Sequence, residues 1–310
     1  MDYNDFVEQQ IQEIKETVGS GIAVNALSGG VDSAVVTALA HQALGKQLKT
    51  FFVDNGLMRK GEPELVKKAF DDLSIPITVI DARDEFLGAL RGIKDPEEKR
   101  QAITDTFYSK LFRRVVQESG AQFLFQGTIL TDIEETVAGI KRQHNILSQL
   151  GIDSQKEYGY TVLEPLKTLR KDGVRKVGEM LGLPTRLTRR IPFPGPALAA
   201  RIIGEVTAND LEIVREATAV VEEELDSSGA FQYMAVLFKD RATGIRNNRR
   251  EFGRIIAVRC IESVDARTAE PSRLPWETLQ RICDRVTNIP QVNRCLYDLT
   301  PKPPATVEYI

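Results

Sequence analysis

The chain has 310 residues, of which 42% are hydrophobic and 27% are charged, proportions that are ordinary for a soluble globular protein. Its formal net charge is -3, and no long run of one sign predicts a nucleic-acid tether or an acidic tail. No apolar run approaches the roughly 18 residues of a membrane span, and residues 1–18 lack the basic start and apolar stretch of a signal peptide. We therefore expect a cytoplasmic protein that binds neither nucleic acid nor membrane.

The three cysteines, Cys260, Cys283 and Cys295, all lie in the last third of the chain and form no CxxC pair. This argues against a disulfide framework, a zinc knuckle and a dithiol redox site. We expect reduced thiols that mostly belong to the core.

The first 190 residues alternate short apolar runs with helical patterns, and the apolar runs predict buried strands. The predicted strands are Gly21–Ser28, Leu48–Val53, Ile77–Ile80 and Gln122–Gln126. The helical segments between them include one after Ser33, one from Glu62 to Leu73 and a long one from Pro96 to Glu118. Repeated β-α-β order predicts an α/β fold with a doubly wound parallel sheet.

The densest Pro/Gly cluster of the chain, IPFPGPALAAR, covers residues 191–201 and predicts a domain boundary. We therefore expect one domain at 1–190 and a second at 191–310. The second domain carries a helical pattern at Asn209–Leu225 and another from Trp276. Apolar strand patterns at Met234–Phe238 and Arg254–Cys260, with a late strand near Cys295, make it a smaller α+β unit.

Ser28 to Ser33 read SGGVDS and connect the first predicted strand to its helix. Two glycines allow the backbone to approach an anion, and the amides and dipole of the helix N-terminus point toward it. The pattern predicts a phosphate-binding loop that is neither a Walker loop nor a GxGxxG fingerprint. The alternative for the same residues is a small-residue turn with a Ser or Asp helix cap.

SGGVDS resembles the pyrophosphate loop of the N-type ATP pyrophosphatases. Further segments resemble the ATP-pyrophosphatase part of the GMP synthases, and the resemblance runs from about Ile11 to the last residue. These segments are FVDNGLMRKGE at 52–62, DPEEKR at 95–100, QGT at 126–128, IKRQHN at 140–145, EPLKTLRKDGVRKVGEMLGLP at 164–184, RRIPFPGPALAARIIGEV at 189–206 and KPPATVEY at 302–309.

The resemblance implies that ATP adenylates the C2 oxygen of xanthosine 5'-monophosphate (XMP) and that ammonia then displaces AMP to give GMP. Asp32 and Lys141 are the implied catalytic residues, and Asp32 and Asp132 are the implied contacts of Mg²⁺. Adenylyl transfer needs mainly positioning and neutralisation of charge, which suits these residue types. The residues implied to bind ATP are Ser28, Gly29, Gly30, Val31, Asp32, Ser33, Ala34, Asp54 and Gly127.

For XMP, the resemblance implies a phosphate-binding Arg100 and a terminal segment that closes the site with Lys302, Thr306 and Glu308. A lysine can pair with the 5'-phosphate, and a carboxylate can accept the N–H groups of the base. Arg246, where members of the family often carry Gln or Met, is the fifth candidate XMP contact, and its cluster of arginines could serve either a phosphate or a subunit contact.

Three departures from the family pattern affect this interpretation. Gln143-His144 stand where paired histidines are usual, Ala197 replaces a glycine of FPGPGL, and Asn247-Asn248 replace Gly-Asp. A catalytically impaired nucleotide-binding paralogue is therefore one alternative. Another N-type reaction, such as NAD synthesis, argininosuccinate synthesis or tRNA thiolation, is the second, although it shares the loop and not the KPPAT terminus.

Many GMP synthases begin with a glutaminase domain, which requires a nucleophilic cysteine supported by a histidine and an acid. Here every cysteine follows the SGGVDS loop, so the chain does not supply that set. The resemblance is to the two-subunit arrangement, in which a separate glutamine amidotransferase delivers ammonia. It also implies that the second domain forms a homodimer.

Overall fold

The computed structural model describes residues 2–137, 160–189, 191, 193–264 and 266–309. The chain forms two compact units. The first contains Met1–Asp54, Glu62–Asp81 and Tyr108–Arg190, and the second contains Asn55–Gly61, Ala82–Phe107 and Ile191–Ile310. Two segments of the first 190 residues thus group with the C-terminal unit, while the domain ranges 1–190 and 191–310 stay a prediction.

The strands in chain order are β1 (Ala23–Leu27), β2 (Leu48–Asp54), β3 (Ile77–Asp81), β4 (Phe123–Phe125), β5 (Thr161–Leu163), β6 (Ile202–Ile203), β7 (Gln232–Arg246), β8 (Arg249–Glu262), β9 (Glu270–Pro271) and β10 (Val292–Tyr297). The helices are α1 (Tyr3–Val18), α2 (Val31–Leu44), α3 (Glu62–Asp72), α4 (Arg83–Leu90), α5 (Pro96–Asp105), α6 (Arg113–Ser119), α7 (Leu130–Val137), α8 (Lys171–Met180), α9 (Thr185–Thr188), α10 (Ala208–Leu225) and α11 (Trp276–Thr287). Among the residues described, no helix is long and apolar enough to cross a membrane.

The first unit contains a five-stranded sheet in the order β3-β2-β1-β4-β5, and every pair in it is parallel. The predicted doubly wound α/β fold is confirmed. The central strand β1 is buried at Ala23, Val24 and Leu27, as expected for a parallel strand covered on both faces. Because β2 lies on one side of β1 and β4 on the other, the winding reverses between β1 and β4. Sheets of this type bind ligands outside the strand carboxyl ends at such a reversal.

The second unit is organised around the long antiparallel hairpin of β7 and β8, with β10 parallel to β8 and β6 parallel to β7. The predicted strands at Met234–Phe238 and Arg254–Cys260 are confirmed, but both strands extend much further. The sequence pattern missed the extension because burial along β7 is continuous from Gln232 to Leu237 and gives way to half-buried and exposed positions, most of them polar, toward the hairpin tip.

Asn247 and Asn248 form the tip of this hairpin, with φ angles of 51° and 57°. Arg246 pairs with Arg249 across them, so the loop has two residues, both in the left-handed region. Asparagine tolerates that conformation, and a two-residue loop of this kind matches the twist of its strands. The Asn247-Asn248 departure from the family pattern is therefore a suitable turn sequence.

The helix predicted from Pro96 to Glu118 is interrupted. α5 ends at Asp105, and residues Thr106–Phe112 form π-helical turns before α6 begins. The sequence pattern did not predict this change, because the side-chain periodicities of α and π turns are too similar to separate over seven residues.

Candidate active site

The SGGVDS loop lies between β1 and α2, at the carboxyl edge of the first sheet. Gly29 has a φ of 76°, which glycine adopts without strain, and Gly30 is the N-cap of α2. The Ser33 hydroxyl donates to the Gly30 carbonyl at 3.0 Å and accepts from the Ser28 amide at 3.2 Å. The Gly30 amide donates to the Ser28 hydroxyl oxygen at 3.3 Å. The loop is thus held by its own serines.

The helix N-terminus at this loop supplies backbone donors. α2 begins at Val31, so the amides of Val31, Asp32 and Ser33 lie in its first turn, where no carbonyl of the same helix lies four residues earlier. The first amide with such a partner is that of Ala34, which donates to the Gly30 carbonyl at 3.1 Å. Three first-turn amides and the positive end of the helix dipole therefore suit a phosphate group. The amide of Ala34, a predicted ATP contact, is already bonded within the helix.

Asp32 projects from the first turn of α2 and contacts a lysine that sequence reasoning missed. Its Oδ2 atom accepts a hydrogen bond from Nζ of Lys171 at 2.6 Å, and Lys171 is the first residue of α8. Its Oδ1 atom is buried and has no hydrogen-bond partner. No sequence signal connects the two residues, since the contact depends on how α8 packs against α2.

Gly127 follows β4 and lies directly against the loop. A Cβ atom at this position would be 3.2 Å from both the Cβ of Asp32 and the amide nitrogen of Ser33. Only a glycine permits this approach without a shift of the neighbouring backbone. The structure therefore brings together the two motifs that the sequence predicted at the carboxyl ends of β1 and β4.

The other predicted ATP-site residues take separate positions in the same unit. Asp54 is the last residue of β2 and is opposite Asp81 of β3. Asp132 accepts the Ile129 amide at 3.1 Å at the start of α7. Lys141, the second predicted catalytic residue, lies outside the described residues, as does Gln143.

The donor set of this site fits Mg²⁺. Magnesium prefers oxygen ligands and commonly uses one or two carboxylates together with substrate phosphates. Oδ1 of Asp32 is a buried carboxylate oxygen without a partner. In the part of the chain that the structure describes, no three His, Cys, Asp or Glu side chains cluster as a closed metal site would require. Asp32 therefore suits a metal ion that arrives with ATP better than a resident one.

Glu308 of the terminal segment forms a buried ion pair in the second unit. Its carboxylate accepts from Nη2 of Arg201 at 3.1 Å and from Nε2 of Gln232 at 2.5 Å. The Arg201 side chain is 1% exposed, and its Nη1 atom has no hydrogen-bond partner. Sequence reasoning missed Arg201 and Gln232. The only available signal was one arginine in the otherwise apolar ALAARII run.

Arg259 holds the segment that carries Thr306 and Glu308. Its fully buried side chain pairs with Asp298 at 2.7 Å and donates to the carbonyls of Thr300 at 2.8 Å and Thr306 at 2.9 Å. The Tyr309 hydroxyl also donates to Asp298, at 2.8 Å. Burial raises the pKa of the Asp298 carboxyl, but its hydrogen bonds and the Arg259 charge outweigh burial and leave that pKa below its usual value. The backbone around Glu308 is thus fixed at several points.

Lys302 and Arg100 also belong to the second unit. Nζ of Lys302 donates to the Ala266 carbonyl at 2.6 Å. Arg100 lies on an exposed face of α5, with the Glu97 carboxylate 3.5 Å away. The preceding residue, Lys99, donates to the carbonyl of Ile202, which directly follows Arg201. The Lys99 side chain therefore links the helix that carries Arg100 to β6, the strand that follows Arg201.

Within one chain, Arg246 lies at the far end of β7 from the residues that contact Glu308. It lies at the last position of β7, whereas Gln232, which contacts Glu308, is the first. Its guanidinium bonds to Glu251 at 3.1 Å and to the carbonyls of Thr287 at 2.8 Å and Val292 at 3.1 Å. Its contacts are those of a residue that ties the hairpin tip to α11 and β10.

A doubly wound parallel sheet with a glycine-containing loop at its winding reversal is the architecture of many nucleotide-binding α/β proteins. Comparison with known proteins is more specific. A family model described as NAD synthase matches residues 2–116, and one described as GMP synthase C terminal domain matches residues 219–309.

Similarity to individual proteins covers the whole chain. One subunit of the glutamine-hydrolyzing GMP synthase of Archaeoglobus fulgidus is 49% identical over 310 residues, which is 100% of both chains. The subunit of the same name in Pyrococcus horikoshii is 46% identical over 313 residues, again 100% of both. The glutamine-hydrolyzing GMP synthase of Aquifex aeolicus is 44% identical over 98% of this chain and 61% of its own length. The chain belongs to the family of these GMP synthase subunits.

Proposed function

We propose that this chain is the ligase subunit that aminates XMP to GMP at the expense of ATP, which is cleaved to AMP and pyrophosphate. The reaction passes through an adenylyl-XMP intermediate that ammonia attacks. The proposal rests on the presence of two sites in one chain of this family. One is the loop of Ser28 to Ser33 against Gly127, and the other is the buried Arg201–Glu308 pair.

The loop suits ATP cleavage between the α and β phosphates. The first-turn amides of α2 and the Lys171 ammonium offer donors and positive charge for the departing pyrophosphate. Asp32 would hold Mg²⁺ through Oδ1, and the ion would supply neutralisation of phosphate charge. Lys141 is proposed as a further phosphate contact from the family resemblance alone.

The Glu308 pair suits recognition of the purine. Its carboxylate can accept base N–H groups, and Arg201 and Gln232 orient it. A fixed carboxylate favours a base that presents N–H donors, as xanthine does. Arg100 and Lys302 are proposed to bind the 5'-phosphate, and Thr306 is proposed to contact the same nucleotide. For Lys302 this requires its ammonium to exchange the Ala266 carbonyl for the phosphate.

Two proposals concern partners. A separate glutamine amidotransferase subunit is proposed to supply ammonia. A homodimer is proposed because the outer half of the β7–β8 hairpin exposes Ile245 at 78% and Phe252 at 67%. Phe252 pairs with Thr243, two residues before Ile245, so both apolar side chains share one face. A second copy would bury that face, and light scattering of the intact chain should then give about twice 34.6 kDa.

Product formation by the purified chain tests the activity. With XMP, ATP, Mg²⁺ and ammonium at mildly alkaline pH, we expect one AMP for each GMP formed, and no GMP when glutamine replaces ammonium. Asp32→Asn is the matched inactive control. It keeps the shape of the side chain and removes its charge, so it should form much less GMP. If the wild-type chain releases AMP without XMP, or makes no GMP from ammonium, the assigned reaction is wrong. If it makes GMP from glutamine alone, the partner proposal is wrong.

A further inference from the structure

Lys99 is a buried cation on a helix that also carries a proposed substrate contact. Lys99, Ile103 and Thr106 are buried and recur at intervals of four and three residues, so they form the inner face of α5 and its continuation. Asp95 caps this helix by accepting the amides of Glu97 and Glu98. Lysine is rarely buried, and an apolar residue would be the ordinary choice for this position. Lys99 is only 1% exposed, so it does not touch a ligand.

The Lys99 side chain ends on the edge of the second sheet. Its Nζ atom donates to the Ile202 carbonyl at 2.7 Å. Ile202 belongs to β6, the last strand in the order β10-β8-β7-β6, and β6 pairs with β7 on its other side. Lys99 therefore supplies a side-chain donor to a backbone carbonyl of the edge strand. A side chain without a donor at position 99 would remove this bond between α5 and the edge strand.

We propose that Lys99 is a positioning residue of the XMP site. Its bond to Ile202 fixes the helix of Arg100 against β6, the strand that directly follows Arg201, so that the phosphate contact and the Glu308 pair are held at a set separation. The inference rests on the proposed function, in which Arg100 binds the 5'-phosphate and Glu308 the base. One nucleotide must reach both groups at once, and a helix free to slide along the sheet edge would hold only one of them well.

The charge of Lys99 adds a second, measurable property. Burial lowers the pKa of Lys99, the charge of Lys239 on β7 lowers it further, and Asp95 opposes both, which together leave that pKa at about 8. Lys239 itself pairs with the buried Asp210 of α10, which also holds Arg254 of β8.

A phosphate dianion bound beside this helix favours the protonated form of Lys99. Binding of XMP should therefore raise the pKa of Lys99, and affinity should fall as pH rises through about 8. Linkage of one proton limits this fall to about tenfold per pH unit.

Calorimetric titration of XMP and, separately, ATP into the full chain tests the inference. For Lys99→Met we expect the Kd for XMP to rise about tenfold or more, because the helix is no longer fixed, with the Kd for ATP within twofold. At saturating XMP, kcat should stay close to the wild-type value, so that the change appears in KM. Lys94→Met is the matched control, because Lys94 is exposed in the same segment and should bind XMP normally.

Two further measurements separate failure of the inference from failure of the proposed function. If Arg100 is a phosphate contact, Arg100→Met must weaken XMP binding. Wild-type affinity in that variant would contradict the assignment of Arg100 in the proposed function. If Arg100→Met binds weakly while folded Lys99→Met binds as wild type does, the positioning role alone is wrong. If Lys99→Met does not fold, the Kd of the wild-type chain for XMP is compared at about pH 7 and about pH 9 to test the inference. A Kd that is flat across that interval overturns the inference, and a rise that Lys99→Gln abolishes supports it.

Discussion

Nζ of Lys171 lies 2.6 Å from Oδ2 of Asp32, although 139 residues separate them in the chain. Asp32 starts α2 beside β1, and Lys171 starts α8, so two helix N-termini place opposite charges at one edge of the sheet. The pair is partly exposed, with 42% of the lysine and 26% of the aspartate side chain accessible. A lysine held in this way can exchange its carboxylate partner for a phosphate with little movement of the backbone.

Lys171→Met tests that exchange. The variant keeps the length of the side chain and removes the ammonium, so it should lower GMP formation from XMP, ATP and ammonium by on the order of 100-fold, as loss of a preorganised charge contact does. XMP binding should not change. Lys167→Met is the control, because Lys167 is exposed four residues earlier and should retain full activity. Activity within twofold of wild type in folded Lys171→Met would exclude a role in phosphate transfer.

Local sequence was enough to predict the sheet and the loop. Parallel strands covered on both faces, such as β1, are continuous apolar runs, and Ser28–Ser33 form a motif in six consecutive residues. Long-range pairs such as Lys171 with Asp32 and Arg201 with Glu308 were not predictable, because charged residues in a sequence carry no sign of their partners. Lys302 and Glu308 were predicted only through family resemblance, since neither residue has a local pattern that indicates a ligand.

Gly127→Ala tests the close approach between the QGT segment and the loop. The added Cβ would lie 3.2 Å from the Asp32 Cβ and the Ser33 amide nitrogen, so the backbone of one segment must shift by a few tenths of an ångström. We expect KM for ATP to rise or kcat to fall by about tenfold or more, since small misplacements at a reacting centre are costly.

Gly88→Ala is the control for this change. Gly88 lies in α4, where a Cβ would meet nothing within 4 Å. Alanine is a better helix former than glycine, so this variant should be as active as wild type and slightly more stable. Equal kinetics in Gly127→Ala and Gly88→Ala would show that the loop tolerates displacement and that the contact is not functional.

Glu308→Gln tests recognition of the base. The substitution keeps the shape of the side chain but removes the charge that pairs with buried Arg201 and turns one acceptor oxygen into a donor group. KM for XMP should rise by about tenfold or more, with little change in KM for ATP, because charged hydrogen bonds are about twice as strong as neutral ones. Steady-state kinetics with ammonium as the nitrogen source measures both. Glu277→Gln, an exposed position on α11, should match wild type, and an equal KM for XMP in both variants would contradict the assignment.

Arg259→Met tests whether the terminal segment depends on one buried cation. The change leaves Asp298, whose side chain is 11% exposed, without its charged partner and frees the carbonyls of Thr300 and Thr306. Removal of one member of a buried pair typically costs about 3–5 kcal/mol, so chemical denaturation should show a loss of that order. The variant should also bind XMP weakly, because Glu308 lies two residues beyond Thr306.

The pH dependence of stability separates this ion pair from simple loss of packing. The folded-state pKa of Asp298 lies below its usual value, so its contribution is present at neutral pH and is lost as pH falls through that lowered value. Wild-type protein should therefore lose part of its unfolding free energy between about pH 5 and about pH 2, the interval in which such carboxylates titrate. In Arg259→Met the pKa of Asp298 rises because burial is no longer opposed by the arginine, so this part of the acid loss should shrink. An unchanged acid profile in a destabilised Arg259→Met would show that Arg259 stabilises the segment through packing and its bonds to backbone carbonyls, and not through its charge on Asp298.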